Sequence, residues 1–191
     1  FTREERDWQR SFFEKFQRPV IGFVAASSSR EKDWDLEKYA KVMDHADQDL
    51  NLQPMIIGGP GRLERTYAET ISRLCRRPPV LALEKPIRTT LLQLSGCRLV
   101  VAPDTGPLHM AVALNVPTIG LYGYSDPRRC GPYRKYHDLL IDKYNDPSQA
   151  NAPITRKTKP GRMALISAEE VMEKITHGLA AYPAPFLPPS S

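Results

Sequence analysis

The sequence predicts an α/β protein with a doubly wound, mostly parallel β-sheet of the Rossmann-like type. Two observations support this fold class. Short apolar runs alternate with segments of helical periodicity, and most of the apolar runs end in Gly, Ser, Pro or Asp residues, as strands of a parallel sheet often do. In addition, a chain of 191 residues with 41% hydrophobic residues is long enough to form one domain with a substantial core.

The chain opens with a helix signal. Thr2 and Glu5 have the spacing of a capping box, which predicts that a helix starts here. We assign residues 1–18 to this leading helix and an interdomain segment. Because the chain starts with Phe1 rather than Met, we expect it to be a fragment of a longer protein.

Apolar runs and helical patterns then alternate along the chain. The apolar runs, which we predict to be strands, lie at 20–25, 55–57, 80–83, 99–101, 117–123 and 139–141. The helical patterns lie at 36–50, 63–74, 87–94, 107–114 and 167–177. Together they predict one domain over residues 19–180, followed by a Pro-rich tail at 181–191 that we predict to be disordered.

Composition argues against several classes of protein. No apolar stretch approaches the roughly 18 residues needed to span a bilayer, and no signal segment opens the chain, so we expect a soluble, cytoplasmic protein. Cys75, Cys97 and Cys130 are odd in number and far apart, which favours reduced thiols over a zinc or iron–sulfur site. The net charge of +5 suits nucleic acid, an anionic membrane or a phosphorylated ligand, but the basic residues are spread out. We predict no metal and no nucleic-acid partner.

The most informative segment joins two of the apolar runs. It contains Asp104, Thr105 and His109 around Pro107, a residue type favoured in the first turn of a helix. These side chains are therefore predicted to crowd a helix amino terminus at the carboxyl end of a strand, where free N–H groups and the helix dipole attract anions. We interpret the segment as a ligand site, most simply one for phosphate.

Four predicted strand-to-helix loops share one edge of the sheet, because ligands of doubly wound sheets bind at the carboxyl ends of the strands. The loops span residues 27–32, 58–62, 85–89 and 104–109. The first carries three serine hydroxyls and the cation of Lys32, which suit a diphosphate. Gly58 and Gly59 in the second let a backbone approach a bulky ligand closely.

The carboxylate in the last of these loops needs a separate explanation, since it would repel a bare phosphate. We expect Asp104 to accept hydrogen bonds from the loop backbone or from a ligand hydroxyl, which leaves Thr105, Gly106 and the helix amino terminus for the anion. The pocket as a whole is predicted to hold a nucleotide or a nucleotide sugar.

A set of residues across these loops is similar to a known family pattern. The set comprises Ser27, Ser28, Lys32 and Trp34, then Asp104, Thr105, Gly106 and His109, then Gly123, Asp126, Pro127, Gly131, Pro132 and Tyr133, and the late segment 163–171. It resembles the carboxy-terminal half of family 9 glycosyltransferases, the bacterial heptosyltransferases. The resemblance covers residues 19–175 and is most specific around Asp104.

The resemblance implies one half of a two-domain fold of the glycosyltransferase-B type, the half that binds the nucleotide part of an activated sugar. The donor in this family is usually ADP-heptose, the acceptor is the inner core of lipopolysaccharide, and transfer inverts the anomeric centre. An amino-terminal domain, expected to be absent from this chain, binds the acceptor and supplies the catalytic carboxylate. The chain is therefore expected to bind donor without turnover, in the cytoplasm or at the periphery of the inner membrane.

The resemblance also implies roles for individual residues. Lys32, Asp104 and His109 are expected to be catalytic, and neither a cofactor nor a metal is expected. Contacts to the nucleotide sugar are expected from Ser27, Ser28, Lys32, Gly58, Gly59, Glu64, Asp104, Thr105, Gly106 and His109. The family often has an acidic residue just after the Gly-rich turn to hold the ribose, whereas Arg62 stands there and Glu64 is the nearest acid. The base is loosely assigned to the stretch from Leu83 to Ile87.

Other functions are weighed against this one. The Asp-Thr-Gly triplet at 104–106 is also found in the active site of aspartic proteases, which we disfavour because a helix rather than a hairpin follows it. A nucleotide-sugar epimerase of the same two-domain architecture, or a binding module that has lost catalysis, would keep the same pocket. Trp34 is predicted to be a hydrophobic anchor beneath its loop rather than a stacking platform.

Overall fold

The computed structural model describes residues 1–83, 85–132, 135–146, 148 and 153–183. The strands are β1 Val20–Phe23, β2 Gln53–Ile57, β3 Val80–Ala82, β4 Leu99–Pro103, β5 Thr118–Tyr122 and β6 Ile141–Asp142. The helices are α1 Arg3–Phe13, α2 Leu36–Gln48, α3 Arg62–Leu74, α4 Ile87–Ser95, α5 Gly106–Ala113, α6 Pro127–Cys130 and α7 Ala168–Ala181. Most of the predicted tail, from residue 184 onward, lies outside the described residues, as does Tyr133.

The strands form one six-stranded parallel sheet in the order β3-β2-β1-β4-β5-β6. This topology confirms the predicted doubly wound, Rossmann-like α/β class. β1 is central, since Gly22 is the register partner of Met55 in β2 and of Val100 in β4. The direction of winding reverses between β1 and β4, which creates a crevice at their carboxyl ends.

Alternate residues of each strand contribute to two separate cores. Ile21 and Phe23 of β1 pack with residues of α2, α3 and α7, whereas Val20 and Val24 pack with residues of α4 and α5. Because helices cover both faces, the strands are buried on both sides, which explains why they read as continuous apolar runs in the sequence. Among the described residues, no helix is long and apolar enough to cross a bilayer.

The leading helix begins as predicted. Thr2 Oγ1 accepts a hydrogen bond from Glu5 N, and the Glu5 carboxylate accepts one from Thr2 N, which completes the capping box. The helix packs against α4, where Gln9 Nε2 donates to Leu92 O at 2.7 Å. An ion pair between Glu5 and Arg88 joins the same two helices.

The last strand is shorter than predicted. Of the apolar run at 139–141, only its final residue enters β6, because His137–Leu139 form a 3₁₀ turn. A short apolar run has no periodicity that separates a strand from a buried turn, and Leu139 is buried in either case.

The segment just beyond β5 lies outside the predicted strands and helices. The structure contains the short helix α6 there, begun by the Asp126 carboxylate, which accepts a hydrogen bond from Arg128 N at 3.0 Å. Pro127 occupies the first turn of the helix. The Asp-Pro pair therefore begins a helix here.

The segment before α7 crosses the carboxyl end of β5. Lys159 N donates to Tyr124 O at 3.0 Å, and a Cβ at position 123 would lie 2.6 Å from backbone atoms of Arg162 and Met163. Only a glycine allows this close approach, so Gly123 fixes the path of the crossing segment.

Candidate functional site

Polar residues of two loops meet in the crevice between β1 and β4. The loop after β1 runs through a 3₁₀ turn at Arg30–Lys32, and the loop after β4 leads directly into α5. Lys32 reaches across the crevice, with Nζ 3.1 Å from Asp104 Oδ2 and 3.3 Å from Asp104 O. The structure thus joins two predicted site residues that are far apart in the chain.

The Asp104 carboxylate is surrounded by donors. Ser125 Oγ donates to Oδ2 at 2.7 Å, and Cys130 Sγ lies 3.4 Å from the same oxygen. His109 Nε2 lies 3.3 Å from Oδ1. Burial disfavours the charged carboxylate, but hydrogen bonds from His109, Ser125 and Lys32 outweigh this effect and hold its pKa well below the usual range. Asp104 is therefore a charged group held firmly in place, with its side chain 11% exposed.

We predicted that Asp104 accepts hydrogen bonds from the loop backbone or from a ligand hydroxyl. Among the described residues, its carboxylate has side-chain donors rather than backbone ones, and the ligand hydroxyl stays a prediction. These side chains come from the loop after β1, from α5 and from the residues around α6. Lys32, Ser125 and Cys130 lie far from Asp104 in the sequence and approach its carboxylate only in the folded chain.

Ser27 was predicted to face a diphosphate, but Asp33 holds it inside its own loop. Ser27 N and Oγ lie 2.8 Å and 2.7 Å from Asp33 Oδ1, and Tyr67 OH donates to Asp33 Oδ2 at 3.0 Å. Burial, together with the neighbouring carboxylate, raises the pKa of Tyr67. Ser28, the other predicted serine, is exposed. Asp33 therefore shapes the loop, and Ser28 is its more accessible hydroxyl.

Trp34 anchors the same loop from below. Its side chain is 2% exposed, and Nε1 donates to Ile166 O at 3.0 Å. The indole packs edge-to-face against Tyr39, with ring centroids 4.9 Å apart. These contacts confirm the prediction that Trp34 is a hydrophobic anchor.

The start of α5 borders the open side of the crevice. The helix begins at Gly106 with Pro107 in its first turn, as predicted. Thr105 Oγ1 donates to Pro103 O at 3.2 Å, so its proton is used within the loop. Gly106 is exposed and the His109 side chain is 48% exposed, which leaves both accessible to a ligand.

The Gly-rich loop after β2 lies beside a carboxylate. A Cβ at Gly58 would lie 3.4 Å from Glu64 Cβ, and one at Gly59 would lie 3.5 Å from Glu64 Oε1. The Glu64 side chain thus folds back over the turn, while Arg62 is exposed at the first position of α3. The Glu64 carboxylate therefore lies at this turn, two residues after the position where the resembled family often has an acidic residue.

The predicted loop at 85–89 overlaps the helix predicted at 87–94, and the structure confirms the helix. Because α4 begins at Ile87, the last three of those residues belong to a helix whose cap is Pro86. The expected base pocket includes Glu84, which lies outside the described residues. Leu83 and Ile87, which flank it, are half-buried and exposed, respectively.

Sequence reasoning missed three residues of the site: Asp33, Ser125 and Cys130. Ser125 and Cys130 follow β5, the neighbour of β4 in the sheet. The rule that selected the other loops, that carboxyl ends of adjacent strands share one edge, would also have selected this segment. Asp33 gave no comparable signal, since its role depends on Tyr67 from α3.

The arrangement suits a phosphorylated ligand. The crevice brings a lysine ammonium and a helix amino terminus to the end of β4. Both attract anions, and the serine loop adjoins them. Throughout the described part of the chain, no three His, Cys, Asp or Glu side chains come together to hold a metal.

Comparison with known proteins agrees with these features. The profile of glycosyltransferase family 9 (heptosyltransferase) matches residues 1–158. The chain is 33% identical over 138 residues to the lipopolysaccharide core heptosyltransferase OpsX of Haemophilus influenzae. That match covers 72% of this chain and 39% of the relative.

Two solved structures share the fold. A family 9 glycosyl transferase of Veillonella parvula has a TM-score of 0.78 at 24% identity, covering 95% of this chain and 53% of that one. The ADP-heptose LPS heptosyltransferase II of E. coli has a TM-score of 0.73 at 21% identity, and the match covers 96% of this chain and 54% of that one. The chain therefore spans about half the length of these structures, and less of OpsX.

Proposed function

This chain belongs to glycosyltransferase family 9, and we propose that it is the half of such an enzyme that holds the nucleotide-sugar donor. We propose further that the donor is ADP-heptose and that heptose is transferred, with inversion, to the inner core of lipopolysaccharide. The names of two relatives support this substrate pair, since OpsX is a lipopolysaccharide core heptosyltransferase and the E. coli protein is an ADP-heptose enzyme.

The observation that carries the proposal is the convergence of Lys32 and the α5 amino terminus at the carboxyl end of β4. The two are joined through Asp104, whose Oδ2 lies 3.1 Å from Lys32 Nζ. An ammonium group and free helix N–H groups together favour a diphosphate. Across β1, the Gly-rich turn and the Glu64 carboxylate suit a ribose, whose hydroxyls need an acceptor.

The proposed chemistry uses this crevice to stabilise the leaving group. As the sugar–phosphate bond breaks, negative charge grows on the nucleoside diphosphate. Lys32 and the N–H groups around Gly106 lie at the same end of β4, where they stabilise that charge once the donor is bound. His109, half exposed beside Asp104, faces the sugar side of the cleft in this proposal.

The proposal assigns the acceptor to a second domain outside this chain, which also supplies the carboxylate that deprotonates the acceptor hydroxyl. The chain alone is then expected to bind donor without transfer. We propose a cytoplasmic location with peripheral contact to the inner membrane, supported by the net charge of +5.

Calorimetric titration of the chain with ADP, UDP and GDP tests the proposal. We expect ADP to bind most tightly, and we expect Lys32→Ala to weaken its binding about tenfold or more, the effect of losing one charged contact. Lys41→Ala is the matched control, because Lys41 pairs with Glu169 on the surface rather than with the crevice. Its ADP affinity should equal that of the parent chain.

Each other outcome is informative. A preference for UDP would favour a different two-domain enzyme, such as the epimerase. Equal losses of ADP affinity in Lys32→Ala and Lys41→Ala would show that the effect is general and not tied to the crevice. Absence of binding to any nucleotide would contradict the assignment of this half to the donor.

A further inference from the structure

Ser125 is a buried residue that touches the central carboxylate of the site without facing the open side of the crevice. Its side chain is 3% exposed, and Oγ donates to Asp104 Oδ2 at 2.7 Å. It lies between β5 and Asp126, which caps α6 by accepting from Arg128 N. The turn that carries Ser125 is therefore fixed at both ends.

Cys130 approaches the same carboxylate oxygen from the end of α6. Its Sγ lies 3.4 Å from Asp104 Oδ2, and Tyr122 OH donates to Cys130 O at 3.2 Å, which ties α6 to β5. Oδ2 is also the oxygen bound by Lys32. Asp126 O, 3.2 Å from Cys130 Sγ, is a nearer acceptor for the thiol proton, so Ser125 is the principal neutral donor to Asp104 Oδ2.

We infer that Ser125 is a positioning residue that allows Lys32 to exchange Asp104 for the diphosphate of a bound donor. The inference rests on the proposed function. A diphosphate competes for the ammonium group, and when Lys32 turns to it, Asp104 is left as a mostly buried charge. Such a charge is costly unless other donors satisfy it. Ser125 supplies the nearest one and so lowers the cost of releasing the lysine.

A double-mutant cycle of ADP binding tests this exchange, because it separates a coupled effect from an independent one. Ser125→Ala is expected to weaken ADP binding by the chain about tenfold. In a Lys32→Met background, the same change is expected to cause no further loss, since no ammonium remains to be released. Adenosine, which lacks the diphosphate, should bind Ser125→Ala and the parent chain with equal affinity.

Two further variants control for the chemistry of the substitution. Ser125→Thr retains a hydroxyl and is expected to keep ADP affinity within about twofold. Ser72→Ala removes a serine whose Oγ binds Ala68 O on α3 at 2.7 Å, and it should leave ADP affinity unchanged. Circular dichroism establishes that each variant is folded.

The outcomes separate this inference from the proposed function. If Ser125→Ala has no effect, or weakens ADP equally in both backgrounds, the exchange is overturned while donor binding stands. If the parent chain binds no ADP, the proposed function fails and the inference fails with it. Should Ser125→Ala not fold, Cys130→Ala enters the same cycle, with a smaller loss expected only when Lys32 is present.

Discussion

Two basic–acidic pairs lie at opposite ends of the central strand β1, and they are built differently. Before β1, Arg18 Nη2 lies 2.7 Å from Asp47 Oδ1, and its Nη1 donates to Asp47 O at 3.1 Å. After β1, the single ammonium of Lys32 binds Asp104. The two carboxylates are almost equally buried, with side chains 6% and 11% exposed. Burial alone therefore does not distinguish them.

The difference lies in what else each carboxylate binds. Asp47 depends on cations, since Arg77 Nη1 lies 3.6 Å from Oδ2 and that oxygen has no hydrogen bond among the described residues. Both oxygens of Asp104 are hydrogen-bonded, and Ser125 gives one of them a neutral donor. A guanidinium is a rigid fork, whereas an ammonium is a point charge on a flexible stem. The first pair is suited to clamp the chain, and the second to release its cation.

The largest expected effect contrasts the two cations. Arg18→Ala leaves Asp47 with only the distant Arg77, so we expect the free energy of unfolding to fall by about 2 kcal/mol. Lys32→Ala leaves Asp104 with its other donors, and we expect a fall of less than about 1 kcal/mol. Urea denaturation of both variants measures the two values.

ADP titration of the same variants completes this contrast, since affinity should fall for Lys32→Ala and stay unchanged for Arg18→Ala. The comparison would break down if the lysine variant were the less stable one. It would also break down if the arginine variant, once shown to be folded, lost ADP affinity.

A smaller effect is expected in the pH dependence of stability. The pKa of Asp104 is lowered from its ordinary value of 3.8, so its charged form contributes stability that is complete above that value. This contribution is lost as the pH falls through the lower pKa of the folded state. The difference in unfolding free energy between the parent chain and Asp104→Asn should therefore shrink as the pH falls below 3.8.

Urea denaturation at several pH values measures this difference. A difference that grows as the pH falls would mean that the charged carboxylate destabilises the fold, and the contrast with Asp47 would then need another cause. Ser72→Ala, which alters no carboxyl contact, provides the baseline for acid effects elsewhere in the chain.

The smallest effect on stability is expected at Trp34, which anchors the loop after β1. Trp34→Phe removes the hydrogen bond to Ile166 O, but Lys38 Nζ also donates to that oxygen at 2.8 Å. We therefore expect a loss of about 1 kcal/mol in unfolding free energy and little change in ADP affinity. Thermal unfolding and calorimetry measure the two. A large loss of ADP affinity would show that the position of Lys32 depends on this anchor more than on Asp104.

Local chemistry explains which elements could be predicted. The capping box of Thr2 and Glu5, the proline at the start of α5 and the buried strands all depend on residues near one another in the chain. Position 127 shows the limit of such reasoning, because an Asp-Pro pair begins either a turn or a helix. The predicted extent of β6 was wrong for a related reason, since a short apolar run is buried equally well in a strand or in a turn.

Residue patterns along the chain were enough to predict the α/β class, the sheet edge where the candidate-site loops lie and the presence of Lys32, Asp104 and His109 there. Those features follow from periodicity and from the rule that parallel strands end together. The pairing of Lys32 with Asp104, the support of the same oxygen by Ser125 and the turn of Ser27 toward Asp33 emerged only in the folded chain. The first two hydrogen bonds join loops from different strands, and the third lies within one loop that a contact with α3 holds in place. Each therefore depends on packing between elements that are distant in the sequence.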